Sequence, residues 1–273
     1  MTDLYAVIGN PIAHSKSPLI HSVFARDCDQ DISYERILTP LDKFRETVDA
    51  FRQRGARGAN VTAPFKFEAF QYATKLTDRA SASGAVNTLV FEGEEVLGDN
   101  TDGVGLTRDI TLNLGVKING ARVLLLGAGG AAFGVVGALV DQHPSTLAIA
   151  NRTHERAVAL AAKYADANVR AIAFDELPRQ QFDLVINATS VSLAPNPNDE
   201  LAIVSSACFA TGSLAYEMMY GKGETSFLQI AKLAGARTAD GVGMLAEQAA
   251  ESFFVWRGVR AETAGVIAML SQP

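Results

Sequence analysis

The chain has 273 residues, of which 48% are hydrophobic and 20% are charged, and its formal net charge is −6. This length fits one large or two modest domains of a globular protein, and the negative charge argues against nucleic acid or an anionic membrane surface as the main partner. The two cysteines, Cys28 and Cys208, lie far apart without a CxxC pattern, so we expect neither a zinc site nor a disulfide framework.

The sequence gives no sign of membrane insertion or export. No stretch approaches the ~20 apolar residues that span a bilayer. The first residues, Met1 to Tyr5, carry neither a basic region nor a signal-length apolar segment. Two unpaired cysteines suit a reducing compartment. We therefore expect a cytoplasmic protein with no membrane partner, no nucleic-acid partner and no bound metal.

The first hundred residues alternate between strand and helix patterns. Strands are predicted at 4–8, 33–38 and 58–62, and helices at 18–28, 41–53 and from Lys66 to Tyr72. Ser17 before Pro18 is typical of a helix start, with the serine as the N-cap. A hairpin is predicted over 84–101 and a helix over 102–114. This alternation predicts a mainly parallel α/β domain.

A glycine cluster follows the short apolar run of residues 122–126 and precedes an apolar helix pattern. Strand, glycine turn and helix in this order predict a dinucleotide-binding unit. Gly127 allows the tight turn, and Gly129 lets the backbone approach a pyrophosphate. Ala132 or Gly134 lets the helix pack closely on the strand. The helix N-terminus offers N–H groups and a partial positive charge to the phosphates.

The next predicted strand, 146–150, ends in Asn151-Arg152-Thr153, with Asn151 24 residues after Gly127. An NAD-binding unit carries an acid about 20 residues after its glycine turn, for the ribose 2′-hydroxyl. This chain has an arginine there, and a guanidinium pairs well with a 2′-phosphate. We therefore expect NADP, with Arg156 as a second phosphate partner. The alternative is that Arg152 is a surface charge and Thr153 only an N-cap.

The remainder continues the same alternation. A helix is predicted at 154–164, strands at 169–172, 183–187 and 212–216, a loop at 191–200, and two helices within 241–273. Met218 and Met219, after the last strand, would line the cofactor pocket or pack in the core. His14 and His21 lack partners at metal-ligand spacing, so we interpret both as structural.

Polar residues collect at the carboxyl ends of the predicted strands of the first domain, where open α/β sheets bind ligands. The set is Ser15, Ser17, Asn60, Thr62, Lys66, Asn87 and Asp102. Most are neutral hydrogen-bonding groups, which suit a small polyhydroxylated molecule. Lys66 and Asp102 are the ionisable pair, and a lysine beside a carboxylate can pass a proton to a carbonyl oxygen. Singly, each could be a helix cap or a surface charge. Beside a nicotinamide, the pair fits reversible alcohol–ketone chemistry.

The motifs, taken together, resemble the shikimate dehydrogenase family over nearly the whole chain. The matching segments are residues 9–18, 58–62, 64–66, 84–88, 98–103, 127–131, 151–153, 187–190 and 241–245, with Gln248. The resemblance implies reversible, NADPH-dependent reduction of 3-dehydroshikimate to shikimate in aromatic biosynthesis. It also implies two α/β domains: a substrate domain of residues 1–101 and 241–273, and a Rossmann-type NADP-binding domain of residues 102–240. The C-terminal helices would return to the substrate domain.

The resemblance also implies a role for each matching residue. Ser15 and Ser17 would bind the substrate carboxylate, and Lys66 would transfer the proton with Asp102 as its partner. The residues for the ring oxygens would be Thr62, Asn87, Asp102, Tyr216 and Gln248. The residues for NADP would be Gly127, Ala128, Gly129, Gly130, Ala131, Asn151, Arg152, Thr153 and Arg156, with Leu214 and Gly241 near the nicotinamide.

Several positions depart from the family pattern. Phe133 stands where the family often has arginine, and Glu217 where it usually has aspartate. The other departures are Ala63, Phe67, Val191-Ser192 and Ser226. None removes a proposed catalytic group, but together they leave three alternatives open: a quinate dehydrogenase, an aminoshikimate dehydrogenase, and a sensor that binds NADP and shikimate without catalysis. A monomer and a homodimer both remain possible.

Overall fold

The computed structural model describes residues 2–165, 168–189, 204–221 and 223–272. The chain divides into two compact units, one comprising Met1–Leu106 and Leu245–Pro273, the other Thr107–Met244. The first boundary falls five residues after the predicted 101/102 division, and the second four residues after 240/241. The predicted loop at 191–200, with Val191 and Ser192, lies outside the described residues.

The first unit contains a six-stranded sheet in the order β2-β1-β3-β5-β6-β4. Its strands are β1 Asp3–Gly9, β2 Ile32–Leu38, β3 Ala56–Val61, β4 Lys75–Leu76, β5 Thr88–Glu92 and β6 Glu95–Asp99. The first three strands are mutually parallel, as predicted. The predicted hairpin is β5 and β6, which makes β5 antiparallel to both of its neighbours.

The second unit contains a six-stranded sheet that is parallel throughout, in the order β12-β11-β10-β7-β8-β9. Its strands are β7 Arg122–Leu126, β8 Thr146–Ala150, β9 Val169–Ala171, β10 Phe182–Asn187, β11 Phe209–Glu217 and β12 Arg237–Ala239. Val123 to Leu126 of the central strand β7 are at most 1% exposed. A parallel strand covered on both faces is a continuous apolar run, which is the pattern that predicted it.

The α-helices in chain order are α1 Ser17–Asp27, α2 Phe44–Gln53, α3 Lys66–Tyr72, α4 Asp78–Ser83, α5 Asp102–Arg108, α6 Gly130–Val140, α7 His154–Ala162, α8 Ser226–Leu233, α9 Val242–Arg257 and α10 Ala264–Leu270. α5 continues as a π-helical turn over Asp109–Asn113. The part of the chain that the structure describes contains no helix long and apolar enough to cross a membrane.

The predicted cap of α1 is wrong by one residue. Lys16 occupies the cap position without a capping side chain, and Ser17 is already the first helical residue. Ser15, which precedes the cap position, accepts a hydrogen bond from the Ser17 N–H through its Oγ at 3.3 Å. The end of the loop and the first residue of α1 therefore hold the two serine side chains together.

The core of the first unit lies on both faces of its sheet. On one face, Ala6 and Ile8 of β1 pack with Val48 and Phe51 of α2. On the other face, the alternating residue Tyr5 stacks on Trp256 of α9, with ring centroids 4.6 Å apart. Because successive side chains of β1 point to opposite faces of the sheet, α2 packs on one face and α9 on the other. The C-terminal helices α9 and α10 join α1 in a cluster around Phe24, Phe253 and Val266, three buried side chains.

Candidate active site

Lys66 and Asp102 form an ion pair at the starts of two helices, α3 and α5. The Nζ of Lys66 lies 2.6 Å from Oδ2 of Asp102, and the two side chains are 18% and 8% exposed. The Asp102 Oδ1 atom accepts a second hydrogen bond, from Nδ2 of Asn87 at 2.9 Å. The Lys66 carbonyl accepts from the Val86 N–H at 2.9 Å, which ties the segment before β5 to the start of α3. The predicted proton-transfer pair is thus assembled and largely shielded from water.

Asn87 is held by a buried network that extends behind the ion pair. Its Oδ1 accepts hydrogen bonds from the Thr101 N–H at 2.9 Å and from the Thr88 hydroxyl at 2.8 Å. The Thr88 hydroxyl lies 2.8 Å from Oγ of Ser252 on α9. Asn60 joins the same network, with its Nδ2 donating to Oγ of Ser252 at 2.9 Å. A network with these partners rigidifies the groups it contains, so Asn87 presents its amide to Asp102 in one orientation.

Gln248 reaches the same cluster from α9. Its Nε2 donates to the Leu245 carbonyl at 2.9 Å, and its Oε1 lies 3.5 Å from Nδ2 of Asn87.

Thr62 follows β3, and its N–H donates to the Ile8 carbonyl at 2.9 Å. A Cβ on Gly9 would lie only 2.4 Å from Cγ2 of Thr62, so the glycine allows this close approach.

The serine pair forms a second polar group in the same unit. The Ser15 hydroxyl donates to the Ser17 hydroxyl at 3.2 Å, and each residue is 7% exposed. The Ser15 carbonyl accepts from Nε and Nη2 of Arg36 at 2.9 and 2.6 Å. Sequence reasoning missed Arg36, because a charged residue on an edge strand such as β2 gives no distinctive signal. Its guanidinium fixes the loop residue Ser15, next to the start of α1, and adds positive charge beside the serine pair.

Tyr34 connects the serine pair to the network around Asn60. Its hydroxyl donates to Oδ1 of Asn60 at 2.7 Å. Burial raises the pKa of Tyr34 well above its usual range, while a hydrogen bond with the Ser17 side chain acts in the opposite direction. Hydrogen bonds therefore lead from the serine pair through Tyr34 and Asn60 towards Asn87 and the ion pair.

His21 lies beneath this network. It is fully buried and stacks on Tyr34, with ring centroids 4.3 Å apart and an interplanar angle of 8°. Among the described residues, neither ring nitrogen has a hydrogen-bond partner within bonding distance. Burial lowers the pKa of His21 to about 3 against a smaller, opposite effect of the nearby Asn60 side chain, so the imidazole is neutral at physiological pH. This environment supports the structural interpretation of His21.

The glycine turn in the second unit has the geometry that the motif predicts. Gly127 adopts a φ of +109°, and a Cβ there would lie 3.2 Å from the Ala188 carbonyl carbon and oxygen. Among the described residues, no atom lies within 4 Å of the position that a Cβ on Gly129 would take, outside its own chain neighbours. No described side chain caps this helix at Gly129. Its first N–H groups therefore offer an anion site with the positive end of the helix dipole.

Asn151 links the end of β8 to the glycine turn. Its Oδ1 accepts from the Ala128 N–H at 3.2 Å, and its Nδ2 donates to the Thr153 carbonyl at 2.8 Å. Thr153 occupies the N-cap position of α7 without a side-chain capping bond. Arg152 and Arg156 both extend into solvent. Two exposed guanidinium groups therefore lie within five residues of Asn151, the residue that contacts the glycine turn.

Phe133 lies in the first turns of α6, and Lys163 follows the end of α7. The Lys163 Nζ is 4.9 Å from the centroid of the Phe133 ring, a cation–π distance. A lysine side chain at the end of α7 therefore lies over Phe133, the position where the family often has arginine.

Tyr216 differs in its surroundings from the other proposed substrate residues. It is fully buried in β11, and its hydroxyl donates to Oδ2 of Asp109 at 2.6 Å. Burial, followed by the nearby Asp109 carboxylate, raises the pKa of Tyr216 well above its usual range. Tyr220, four residues later, is half-buried beyond the end of the same strand.

The two residues predicted near the nicotinamide lie in different settings. Leu214 is a core residue of β11 and is 2% exposed. Gly241 packs against the segment after β11: a Cβ there would lie 2.3 Å from the Met218 carbonyl oxygen, and its N–H donates to the Met219 carbonyl at 3.0 Å.

In residues 2–165, 168–189, 204–221 and 223–272, no group of three or more His, Cys, Asp or Glu side chains could hold a metal ion.

Three family models match successive parts of the chain. Residues 7–89 match the model of the shikimate dehydrogenase substrate-binding domain, residues 110–206 the shikimate/quinate 5-dehydrogenase model, and residues 241–268 the shikimate 5′-dehydrogenase C-terminal domain model. A shikimate dehydrogenase (NADP(+)) of Nitrosospira multiformis is 60% identical over 272 residues, which cover 99% of this chain and 98% of the relative.

Solved structures resemble the whole chain. An Ael1 enzyme from Pseudomonas putida is 47% identical, with a TM-score of 0.89 and coverage of 100% of this chain and 99% of that one. A shikimate 5-dehydrogenase from Thermus thermophilus, solved with NADP(H) and shikimate, is 30% identical, with a TM-score of 0.86 and coverage of 98% of both chains. This chain belongs to the shikimate dehydrogenase family.

Proposed function

We propose that Lys66 and Asp102 carry out the proton transfer in the reversible, NADP-dependent reduction of 3-dehydroshikimate to shikimate. The observation that carries this assignment is the 2.6 Å contact between Nζ of Lys66 and Oδ2 of Asp102, supported by the Asn87 amide. NADPH, when bound, would supply the hydride that the carbonyl carbon accepts. Lys66 would supply a proton to the carbonyl oxygen, and in the reverse direction it would accept the hydroxyl proton. Asp102 holds the Lys66 amino group in position.

The substrate residues belong mainly to the first unit. The Ser15 and Ser17 hydroxyls would donate to the substrate carboxylate, with Arg36 fixing their loop. The residues that would bind the ring oxygens are Thr62, Asn87, Asp102, Tyr216 and Gln248. Tyr216 needs its own test, because its hydroxyl already donates to Asp109. Tyr220 is the alternative tyrosine at that strand end, since it retains an exposed surface.

NADP binds in the second unit at the glycine turn. Backbone N–H groups of residues 127–131 would hold the pyrophosphate, and Asn151, Arg152, Thr153 and Arg156 would hold the adenosine 2′-phosphate. Leu214 and Gly241 would lie near the nicotinamide. Functionally, we assign residues 1–101 and 241–273 to the substrate domain and residues 102–240 to the NADP domain. Both described cysteines are free thiols, which is consistent with a cytoplasmic enzyme. We propose that it acts on a small molecule, as a monomer or a homodimer.

The matched variants Lys66→Ala and Lys75→Ala test the assignment. Lys75 forms an exposed ion pair with Glu95 at 2.7 Å, so its loss controls for removing a lysine charge. We expect Lys66→Ala to lose about 100-fold or more in kcat, the scale of general acid–base catalysis, while NADPH binding stays close to that of the unmodified protein. Lys75→Ala should keep full turnover. Near-normal turnover by Lys66→Ala would refute the role of the lysine, and binding of both ligands by the unmodified protein without any turnover would favour the sensor.

A further inference from the structure

Glu217 is a fully buried carboxylate at the end of β11 that lies outside the proposed catalytic set. Its Oε2 accepts hydrogen bonds from Nδ2 of Asn187 at 2.9 Å and from the hydroxyl of Thr225 at 3.2 Å. Its Oε1 accepts from the Met219 N–H at 3.2 Å. Burying an ionised carboxylate is costly unless hydrogen bonds offset the lost hydration. These contacts join three separate segments: the end of β10, the chain after β11, and the start of α8.

The segments that Glu217 joins lead to the cofactor site in two directions. In one direction, Oδ1 of Asn187 accepts from the N–H and the hydroxyl of Thr189, at 3.1 and 2.7 Å. Ala188 and Thr189 are the residues that a Cβ on Gly127 would touch. In the other direction, the Met219 carbonyl accepts from the Gly241 N–H at 3.0 Å. Glu217 therefore lies on a continuous path of contacts from the glycine turn to Gly241.

The sheet topology indicates which end of the cofactor this path serves. From β7 the chain proceeds outward to β8 and β9, and then returns to β10 on the other side of β7. The crevice at this reversal binds the dinucleotide. With the pyrophosphate at the glycine turn and the adenosine end over β8, the nicotinamide half extends towards the ends of β10 and β11. Glu217 lies at that end of the sheet.

We propose that Glu217 is a positioning residue that fixes the nicotinamide half of the NADP site relative to the pyrophosphate turn. This inference rests on the proposed function, because it takes its cofactor orientation from there. Its chemistry is specific: the Asn187 amide, the Met219 N–H and the Thr225 hydroxyl all donate, so both carboxylate oxygens act as acceptors. A glutamine would fill the same volume, but its NH₂ group would face one of these donors. Loss of that contact would loosen the end of β10 or of β11, beside which the nicotinamide half would bind. The residues proposed to bind the adenosine half would not be affected.

The variants Glu217→Gln, Glu217→Asp and, as a control, Asp183→Asn test this role. Asp183 lies at the opposite end of β10 and pairs on the surface with Arg122 at 2.8 Å, so its replacement also neutralises one carboxylate of this domain. The measurements are kcat and KM with shikimate and NADP⁺, the thermal midpoint, and the dissociation constant of adenosine 2′,5′-bisphosphate, which lacks the nicotinamide half. We expect Glu217→Gln to lower kcat by about tenfold or more and to change bisphosphate binding by less than about twofold. Glu217→Asp, which keeps the charge, should retain more turnover, and Asp183→Asn should match the unmodified protein.

A second pair of variants keeps the proposal testable if Glu217→Gln does not fold. Thr225→Val removes one donor to Glu217, and Thr225→Ser keeps it; only the valine should lower kcat, again with bisphosphate binding unchanged. Unchanged kcat in Glu217→Gln and Thr225→Val would overturn the inference. Equal losses of turnover and bisphosphate binding would also overturn it, because they would indicate general damage to the domain. If the unmodified protein itself lacks turnover, it is the proposed function that fails.

Discussion

Replacing Asp102 with asparagine isolates the contribution of its charge, because the side chain keeps its shape. In the structure, Oδ2 accepts from Nζ of Lys66 at 2.6 Å and Oδ1 from Nδ2 of Asn87 at 2.9 Å. Both partners are donors, whereas an amide provides only one acceptor oxygen. The new NH₂ group of Asp102→Asn must therefore face either the lysine or the asparagine, and one hydrogen bond is lost in each orientation.

The magnitude follows from those two contacts. A hydrogen bond to a charged group contributes about 1.5–3 kcal/mol, and this one holds the group that transfers the proton. We expect kcat to fall by about 100-fold, which corresponds to about 2.7 kcal/mol of transition-state stabilisation. The Lys66 side chain is 18% exposed and can turn to water. The free energy of unfolding should therefore fall by only about 1 kcal/mol, well below the cost of breaking a fully buried pair.

The assay is steady-state oxidation of shikimate at saturating NADP⁺, together with denaturant unfolding of the same samples. Asp78→Asn is the matched control, because Asp78 also lies in the first turn of a short helix, α4, but is exposed. It should keep its turnover. A kcat for Asp102→Asn within about threefold of the unmodified protein would refute the reasoning, since the carboxylate would then contribute little to proton transfer.

Two further predictions concern the cofactor and the core. Arg152→Ala should raise KM for NADP⁺ by about 10- to 100-fold, because a charge-assisted contact with the 2′-phosphate is lost. The same variant should leave KM for NAD⁺ nearly unchanged in steady-state assays; an equal rise for both cofactors would contradict the assignment. His21→Leu should flatten the pH dependence of stability. The pKa of His21 is lowered by burial to about 3 from an ordinary value of 6.5, so the unfolded chain takes up a proton below pH 6.5 while the folded chain does not. Between pH 8 and 5 this costs about 2 kcal/mol of unfolding free energy, measurable by urea titration at both pH values. An unchanged slope in His21→Leu would exclude His21 as the source.

The second unit was the easier half to predict from sequence. A parallel central strand covered on both faces is a continuous apolar run, and the glycine turn must follow it directly, so β7 and α6 have strong local signatures. The first unit is less regular. The short strand β4 and helix α4 were not predicted, because two and six residues carry too little periodicity to stand out. β12 was missed for the same reason, with three residues.

The candidate site shows the same division. Lys66 and Asp102 were predicted from residue types and strand ends, and the structure places their charged atoms in contact. The sequence did not predict Arg36, Tyr34 and Ser252. Their hydrogen-bond partners are Ser15, Asn60 and Asn60, which lie 21, 26 and 192 residues away along the chain. Contacts at such separations depend on the tertiary fold. Tyr216 shows the limit of a family resemblance: the resemblance implied a substrate role but did not indicate that the Asp109 carboxylate accepts a hydrogen bond from the Tyr216 hydroxyl.

The most direct test of the central claim is a crossed assay of the unmodified protein. Absorbance of the reduced nicotinamide would be followed with shikimate or quinate, each paired with NADP⁺ or NAD⁺. The geometry of the serine pair and the exposed Arg152 predict strong turnover with shikimate and NADP⁺ and weak turnover with every other combination. Turnover that favours quinate or NAD⁺, or none with any pair, would contradict the account.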